Sequence, residues 1–520
     1  MNNQLKRGKR INPNNFSCLN FTFVIFACFL IWSLSFGSMH FYLYPQMFVG
    51  ESFLGSTTPN DQFFNQQWVH DFIESEKAWD ISIGSTDVSV AIIDAGLKGG
   101  HNDFAGNIDI NYIGYQYDYA NSTISYYDHS PSDKPGHGTK VAGIIGARGN
   151  NCVGISGVCW RVNMIPLSFY DVYGNWYNSM IANAIQFATQ NNIPIINFSS
   201  YSINGIDSSV ESAIESYPGL FVCCAGNSGL DMDNTPYFDC YPSELQGIDN
   251  LISVGSLDDD GSILSTSNYG ATSVDLFAPG NNVLSTDDAQ NPYGPFSGTS
   301  CATPFVAGTA ALLKAINPNL TTAQLKAAIL NNVDQVDSLN GKCVTGGKLN
   351  VYKAANSVVP VLESSSTRTV TSGCYNWEKI VVNSPATYSF SISGNTGITM
   401  SLAFSPLLES PLETATIQTG QTSASFSHLF TVPGTYYIKV SNDIYTSTTY
   451  TITKTFMSYH YHSYSGPLIW LDNATHGKAC YCGEIGMISS HIVKLNNPNV
   501  CTLCGGYANL NEAGIIILDE

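Results

Sequence analysis

The chain has 520 residues, of which 44% are hydrophobic and 12% charged, and its formal net charge is −19. That length suffices for roughly two to four domains with sizeable cores. The negative balance argues against nucleic acid as a partner and favours solubility in an acidic or cation-rich medium. At the N-terminus the first charged residues are all basic (Lys6, Arg7, Lys9, Arg10), and no acid precedes Glu51. Phe21 to Tyr44 is then largely apolar and uncharged, long enough to cross a bilayer. Residues 1–50 therefore read as an uncleaved signal-anchor, with the rest of the chain outside, or as a signal peptide cleaved near Ser35-Phe36-Gly37. The first makes a single-pass membrane protein, the second a secreted one, and both enter the secretory pathway.

Four short motifs follow in chain order. Val88 to Ile93 is an apolar, β-branched run of the kind a strand buried on both faces needs, and it ends on Asp94 before Ala95-Gly96. His137 lies between Gly136 and Gly138 at the start of a small-residue helix. Asn227 follows the apolar run Leu220–Ala225, in Ala225-Gly226-Asn227-Ser228-Gly229. Ser300 lies in Gly298-Thr299-Ser300-Cys301-Ala302-Thr303-Pro304 and opens a second small-residue helix. An acid, an imidazole, an amide donor and a hydroxyl are what acyl transfer through serine requires. In that chemistry Asp94 orients His137, which takes the Ser300 proton and returns it to the leaving amine. The Asn227 amide and the positive helix end favour the developing oxyanion.

These motifs resemble the subtilisin family (subtilases) of serine endopeptidases. The similarity runs from about Pro59 to Val358 and includes Gln67-Trp68, Ala78-Trp79-Asp80, Ser267-Asn268-Tyr269-Gly270 and Asp275-Leu276-Phe277-Ala278-Pro279-Gly280. It implies an α/β fold with a parallel sheet in a peptidase domain over 51–358, a triad of Asp94, His137 and Ser300, and Asn227 as oxyanion donor. The reaction implied is hydrolysis of peptide bonds through an acyl-enzyme, with peptides or proteins as substrates and a monomeric enzyme. The alternatives are a proprotein convertase limited to one sequence, and an adhesion protein without catalysis; only an activated serine reacts with a fluorophosphonate.

The family's substrate-pairing strand falls on Phe198, Ser199 and Ser200, but Ser200-Tyr201 replaces its frequent Leu-Gly. Asp103 matches a family calcium carboxylate, and the loop holding Asn150 and Asn151 resembles its oxygen-rich calcium loop. Asp61 is a further oxygen donor from the domain's start, so structural calcium is implied. Cys301 stands where methionine is usual, at a helix start that lowers thiol pKa, which makes it the expected target of mercurials. A family pro-domain has no room between the apolar segment and Pro59.

Of the 14 cysteines, Cys152 and Cys159 are close enough in sequence to close a small disulfide loop in an oxidising compartment. Asn121, Asn319 and Asn473 are glycosylation sequons, whereas the sequon at Asn197 falls in an expected buried strand. Beyond the polar linker Ser364–Thr367, alternating Ser/Thr/Tyr-rich runs such as Thr387–Ile392 and Thr435–Val440 predict a β-sandwich over 364–457. Residues 458–520 form a Cys/His-rich module, in which Cys480, Cys482, Cys501 and Cys504, with His476 and His491, supply ligands for zinc or sulfurs for two disulfides.

Overall fold

Apolar runs separated by helical stretches build a mostly parallel sheet, because each crossover helix covers one face and leaves the strands buried on both. The computed structural model describes residues 57–109, 136–170, 176–203, 207–235, 240–245, 247–407, 410–442 and 446–459, with further backbone strands at 116–118, 123–125 and within 468–501. Six parallel strands carry the peptidase domain: β1 (Gly84–Asp94), β2 (Arg161–Ser168), β3 (Ile195–Phe198), β4 (Leu220–Cys224), β5 (Leu251–Leu257) and β6 (Leu276–Pro279). Their order is β6-β5-β4-β3-β1-β2, and two short strands, Gly347–Lys348 and Asp334–Gln335, extend the β6 edge. The α/β expectation is met.

Chain order reverses between β1 and β3, so a crevice opens at the carboxyl ends of these strands. Asp94 is the last residue of β1 and pairs with Ser168 at the end of β2. Three helices matter for that crevice: α1 (His137–Gly146), α2 (Asn178–Gln190) and α3 (Thr299–Ile316). Among the described residues, α3 is the one helix long and apolar enough to cross a membrane. It is instead the central core helix, with Phe305, Val306, Leu312 and Leu313 at most 1% exposed.

The segment before β1 wraps this core. Trp79 packs against Trp160 and His70 (ring centroids 4.6 and 4.9 Å apart). Buried His70 bonds the Ser156 carbonyl through Nε2 at 2.9 Å, while its Nδ1 has no partner. Burial holds the imidazole neutral and lowers its pKa to about 4. An unfolded chain binds this proton near the ordinary value, so between pH 6.5 and 4 the unfolded state takes up more protons. Stability is therefore expected to fall as pH drops through that window, by roughly 3 kcal/mol from this group. Denaturant melts at pH 7 and 4.5 should show a smaller difference in His70→Gln than in the wild type; an equal difference refutes the assignment.

After Val358 two four-stranded antiparallel sheets face each other. One contains Ser365–Val370, Thr448–Tyr459, Ala386–Ser393 and Ser423–Phe430; the other contains Tyr375–Val382, Gly434–Asn442, Ile398–Ala403 and Glu413–Thr416. Alternate residues such as Phe390, Ile392, Ile438, Val440 and Ile452 meet in a separate core. The sandwich also docks on the peptidase domain through buried groups. Trp377 and Tyr437 join the main core. Trp377 Nε1 donates to the Asp80 carbonyl (2.9 Å), and Arg368 Nη2 donates to the carbonyl of Ile316 at the end of α3 (2.5 Å).

The expected Cys152–Cys159 disulfide is not formed; both thiols are free. Cys152 is exposed on a left-handed turn (φ 64°), whereas Cys159 is buried with its Sγ donating to the Arg161 carbonyl. The chain passes from surface to core between them, so their side chains diverge. Buried Asn197 donates from its amide to Ser199 Oγ, which leaves it inaccessible to glycosylation. The apolar segment of 1–50 lies outside the described residues, as do the side chains of Cys480, Cys482, Cys501 and Cys504.

Candidate active site

Asp94 is brought to the crevice by β1 and is 2% exposed. Its Oδ1 accepts from the Ala95 amide at 2.7 Å and lies 2.8 Å from His137 Nδ1. His137 reaches it because α1 starts against the β1 turn: a Cβ on Gly138 would sit 1.9 Å from the Gly96 carbonyl oxygen. Gly136 caps the helix at φ 80°, a conformation that disfavours other residues. The His137 ring stands edge-on to Phe296, 5.3 Å between centroids. One face of the imidazole is thereby held by packing and one nitrogen by a carboxylate.

Ser300 is the second residue of α3 and is 9% exposed. Its hydroxyl donates to the Ser199 carbonyl at 2.9 Å, so the segment leaving β3 lines the same crevice. Pro304 has no N–H to give the Ser300 carbonyl, which loosens the first turn around the hydroxyl. Asn227 follows β4, and its Oδ1 accepts from the Thr299 amide (2.9 Å) and hydroxyl (3.1 Å). Two donors on the oxygen fix the amide plane and turn its N–H₂ group away from Thr299, as an oxyanion donor needs.

Asn268 stands behind this loop. It is fully buried; its Nδ2 donates to the Ala225 carbonyl (2.9 Å), and its Oδ1 accepts from the Ser228 and Leu230 amides (3.0 and 3.2 Å). These bonds hold the loop that carries Asn227, and nothing in the local sequence announces Asn268 except its place in Ser267-Asn268-Tyr269-Gly270. Asn268→Ala leaves the buried Ala225 carbonyl and the part-buried Ser228 and Leu230 amides without these partners and is expected to cost about 3 kcal/mol of stability. It should also lower kcat more than it raises KM, by about tenfold or more, through a misplaced Asn227. Unchanged turnover in a folded variant would refute the positioning role.

The substrate strand residues divide. Phe198 is 4% exposed and packs between Phe169 and Phe221, at 5.9 Å from each. Ser199 and Ser200 lie past the end of β3, at the crevice. A cavity of about 230 Å³ adjoins Ser200, with Phe169, Tyr170, Ile181, Phe198, Tyr201 and Val210 in its lining.

Asp61 and Asp103 are drawn together by one loop. Asp61 accepts from the Asn150 and Asn151 amides (2.8 and 2.9 Å) and from the Ser156 hydroxyl (2.5 Å). Asp103 accepts from the Ile155 amide (2.9 Å) and the Asn151 side chain (3.1 Å). Burial, reinforced by the charge of Asp61, raises the Asp103 carboxyl to about 7. Asn150, Cys152 and Gly154 all have positive φ, and a Cβ on Gly154 would lie 2.3 Å from Asp103 Oδ2. Among the described residues no three His, Cys, Asp or Glu side chains converge as a metal cage. The oxygen donors drawn together are two carboxylates and the side chain of Asn151, hard ligands that suit calcium rather than zinc.

Cys301 departs from expectation. It is 0% exposed, and burial pushes its thiol well above the ordinary range. Desolvation outweighs the helix end, so this thiol is an apolar core group and not a reactive one.

Residues 85–353 match the model of the subtilase family. Thermitase of Thermoactinomyces vulgaris is 33% identical over 301 residues, covering 57% of this chain and 99% of thermitase. A thermophilic serine proteinase of Bacillus sp. (strain AK1) is 32% identical over 306 residues, covering 58% of this chain and 70% of its own length. Among solved structures, a protease from Pseudoalteromonas arctica PAMC 21717 superposes with a TM-score of 0.50 at 26% identity, covering 58% of this chain and all of that one. The chain belongs to the subtilase family and is a subtilisin-like serine endopeptidase.

Proposed function

We propose that this endopeptidase acts through Ser300 as nucleophile, His137 as general base and acid, Asp94 as the carboxylate that holds His137, and Asn227 as oxyanion donor. The observation that carries the assignment is the 2.8 Å contact between His137 Nδ1 and Asp94 Oδ1. That contact leaves Nε2 as the nitrogen for the Ser300 proton. On substrate entry the Ser300 hydroxyl turns from the Ser199 carbonyl toward His137, attacks the scissile carbonyl, and the oxygen's new charge is met by Asn227. His137 then protonates the leaving amine, and water repeats the sequence to release the acyl group. Labelling with a fluorophosphonate tests it: wild type should be modified at Ser300 alone. Failure to label folded protein would refute the assignment and favour a non-catalytic adhesion role.

The Asp61–Asp103 loop is proposed to hold a structural calcium ion, with Asn150 and Asn151 supplying the turn. The domain plan proposed is a peptidase domain over 51–358, a sandwich after 364 that stabilises it through Trp377 and Tyr437, and a separate tail. The basic and apolar N-terminal segment supports export, by anchor or by cleaved signal.

A further inference from the structure

The hairpin of strands Val283–Thr286 and Tyr293–Phe296 joins the two helices that carry the reacting side chains. Its second strand ends four residues before Ser300, and Phe296 on that strand stands edge-on to the His137 ring. Its first strand docks on α1: Thr286 Oγ1 donates to the Thr139 carbonyl (2.7 Å) and Ser285 Oγ to the Lys140 carbonyl (2.6 Å). The approach is close because α1 has a glycine there; a Cβ on Gly143 would lie 2.7 Å from Ser285 Oγ. The hairpin's other flank is tied down too. His101 Nε2 donates to the Pro292 carbonyl (2.9 Å), and the Tyr293 ring meets those of Phe63 and His101 (5.2 and 5.3 Å between centroids).

Asp287 follows the first strand and lies against the start of α1. Its Oδ2 is 2.8 Å from Lys140 Nζ, and both side chains are largely buried, 12% and 13% exposed. A Cβ on Gly136 would strike Asp287 Oδ1, so the same carboxylate also meets the N-cap of α1. An acid there is favoured by the positive helix end. The Asp287 amide donates to the Pro292 carbonyl at 2.7 Å, which fixes the carboxylate to the hairpin. Asp287 thus brackets the turn from Gly136 to Lys140 that carries His137. Asp94 holds one nitrogen of His137, but the other has to reach a hydroxyl on a different helix. A displacement of about 1 Å there can cost about 100-fold in rate. From Ser300 the chain runs back through the hairpin to Asp287, across the ion pair to Lys140, and along α1 to His137, a closed path. Parting a buried ion pair leaves each charge unpaired, so the path resists opening. We propose that Asp287 is a positioning residue for the reaction, holding the first turn of α1 through Lys140 so that His137 Nε2 faces Ser300. This rests on the assignment of His137 and Ser300.

The test compares kcat, KM and fluorophosphonate labelling in wild type, Asp287→Ala, Asp287→Asn and Lys140→Met, each well below its melting temperature. Asp287→Ala should lower kcat by about tenfold to 100-fold with KM within about twofold, because a misplaced His137 slows attack and leaves binding alone. Asp287→Asn keeps an oxygen for Lys140 Nζ and should recover kcat to within about threefold of wild type. Lys140→Met cuts the same tie from the helix side and should slow turnover in the same way, which decides the matter where Asp287→Ala does not fold. With wild type labelled, full kcat in folded Asp287→Ala or Lys140→Met overturns this proposal alone. An Asp287→Asn protein as slow as Asp287→Ala overturns it too. A folded wild type that does not label removes the assignment of Ser300 and His137, and this proposal falls with it.

Discussion

Ser300→Ala is expected to abolish fluorophosphonate labelling and to lower kcat on the order of 10⁶-fold, the magnitude known for the same change in subtilisin itself. Loss of the nucleophile leaves only the oxyanion site and binding to act on water. His137→Ala should cost nearly as much, because hydroxyl and imidazole work as one unit and the second loss adds little to the first. Asp94→Asn keeps the shape of the site but weakens the hold on His137 Nδ1, now 2.8 Å from the carboxylate, and should cost about 10⁴-fold. Asn227→Ala is milder, about 10²- to 10³-fold in kcat with KM nearly unchanged, since the oxyanion exists only after attack. The Thr299 amide and hydroxyl that now bond Asn227 Oδ1 would lose that acceptor, so a melting curve must accompany the rate. Turnover near wild type in a folded Ser300→Ala protein would refute the mechanism.

Chelation is expected to lower the melting temperature on the order of 10 °C. An ion bound to the folded state alone, present at about a thousand times its dissociation constant, adds about 4 kcal/mol. A domain of this size shifts by a few degrees per kcal/mol. Asp61 and Asp103 have N–H and hydroxyl partners, and burial, with a smaller contribution from the charge of Asp61, raises the Asp103 carboxyl to about 7, so a cation bound there favours its ionised form. Differential scanning calorimetry with and without chelator, read beside elemental analysis, checks this. Asp103→Asn removes a charge the ion needs and should lose the chelator response while remaining folded. An unchanged melting temperature in wild type, with no calcium in the purified protein, would overturn the site.

Much of this molecule is written locally. The run Val88–Ile93 is legible as a buried parallel strand because β-branched residues without alternation suit a strand covered on both faces. Thr322–Leu330 is legible as a helix because Thr321 and Gln324 form a capping box at its start, and the helix has those bounds. Asp94, His137, Asn227 and Ser300 are legible for a related reason: each needs a strand end or helix start with glycine beside it, and that requirement is local. The thiols are different. Cys301 looks activated by its helix end, yet it is sealed in the core by the whole of α3, and burial depends on residues distant in sequence. Cys152 and Cys159 look like a pair, yet the fold sends one to the surface and one inward. Asn268 carries little signal of its own either. It matters through what it touches, the backbone of Ala225, Ser228 and Leu230, 38 to 43 positions away. The order of the strands brings those segments together, so tertiary packing alone decides how the loop carrying Asn227 is held.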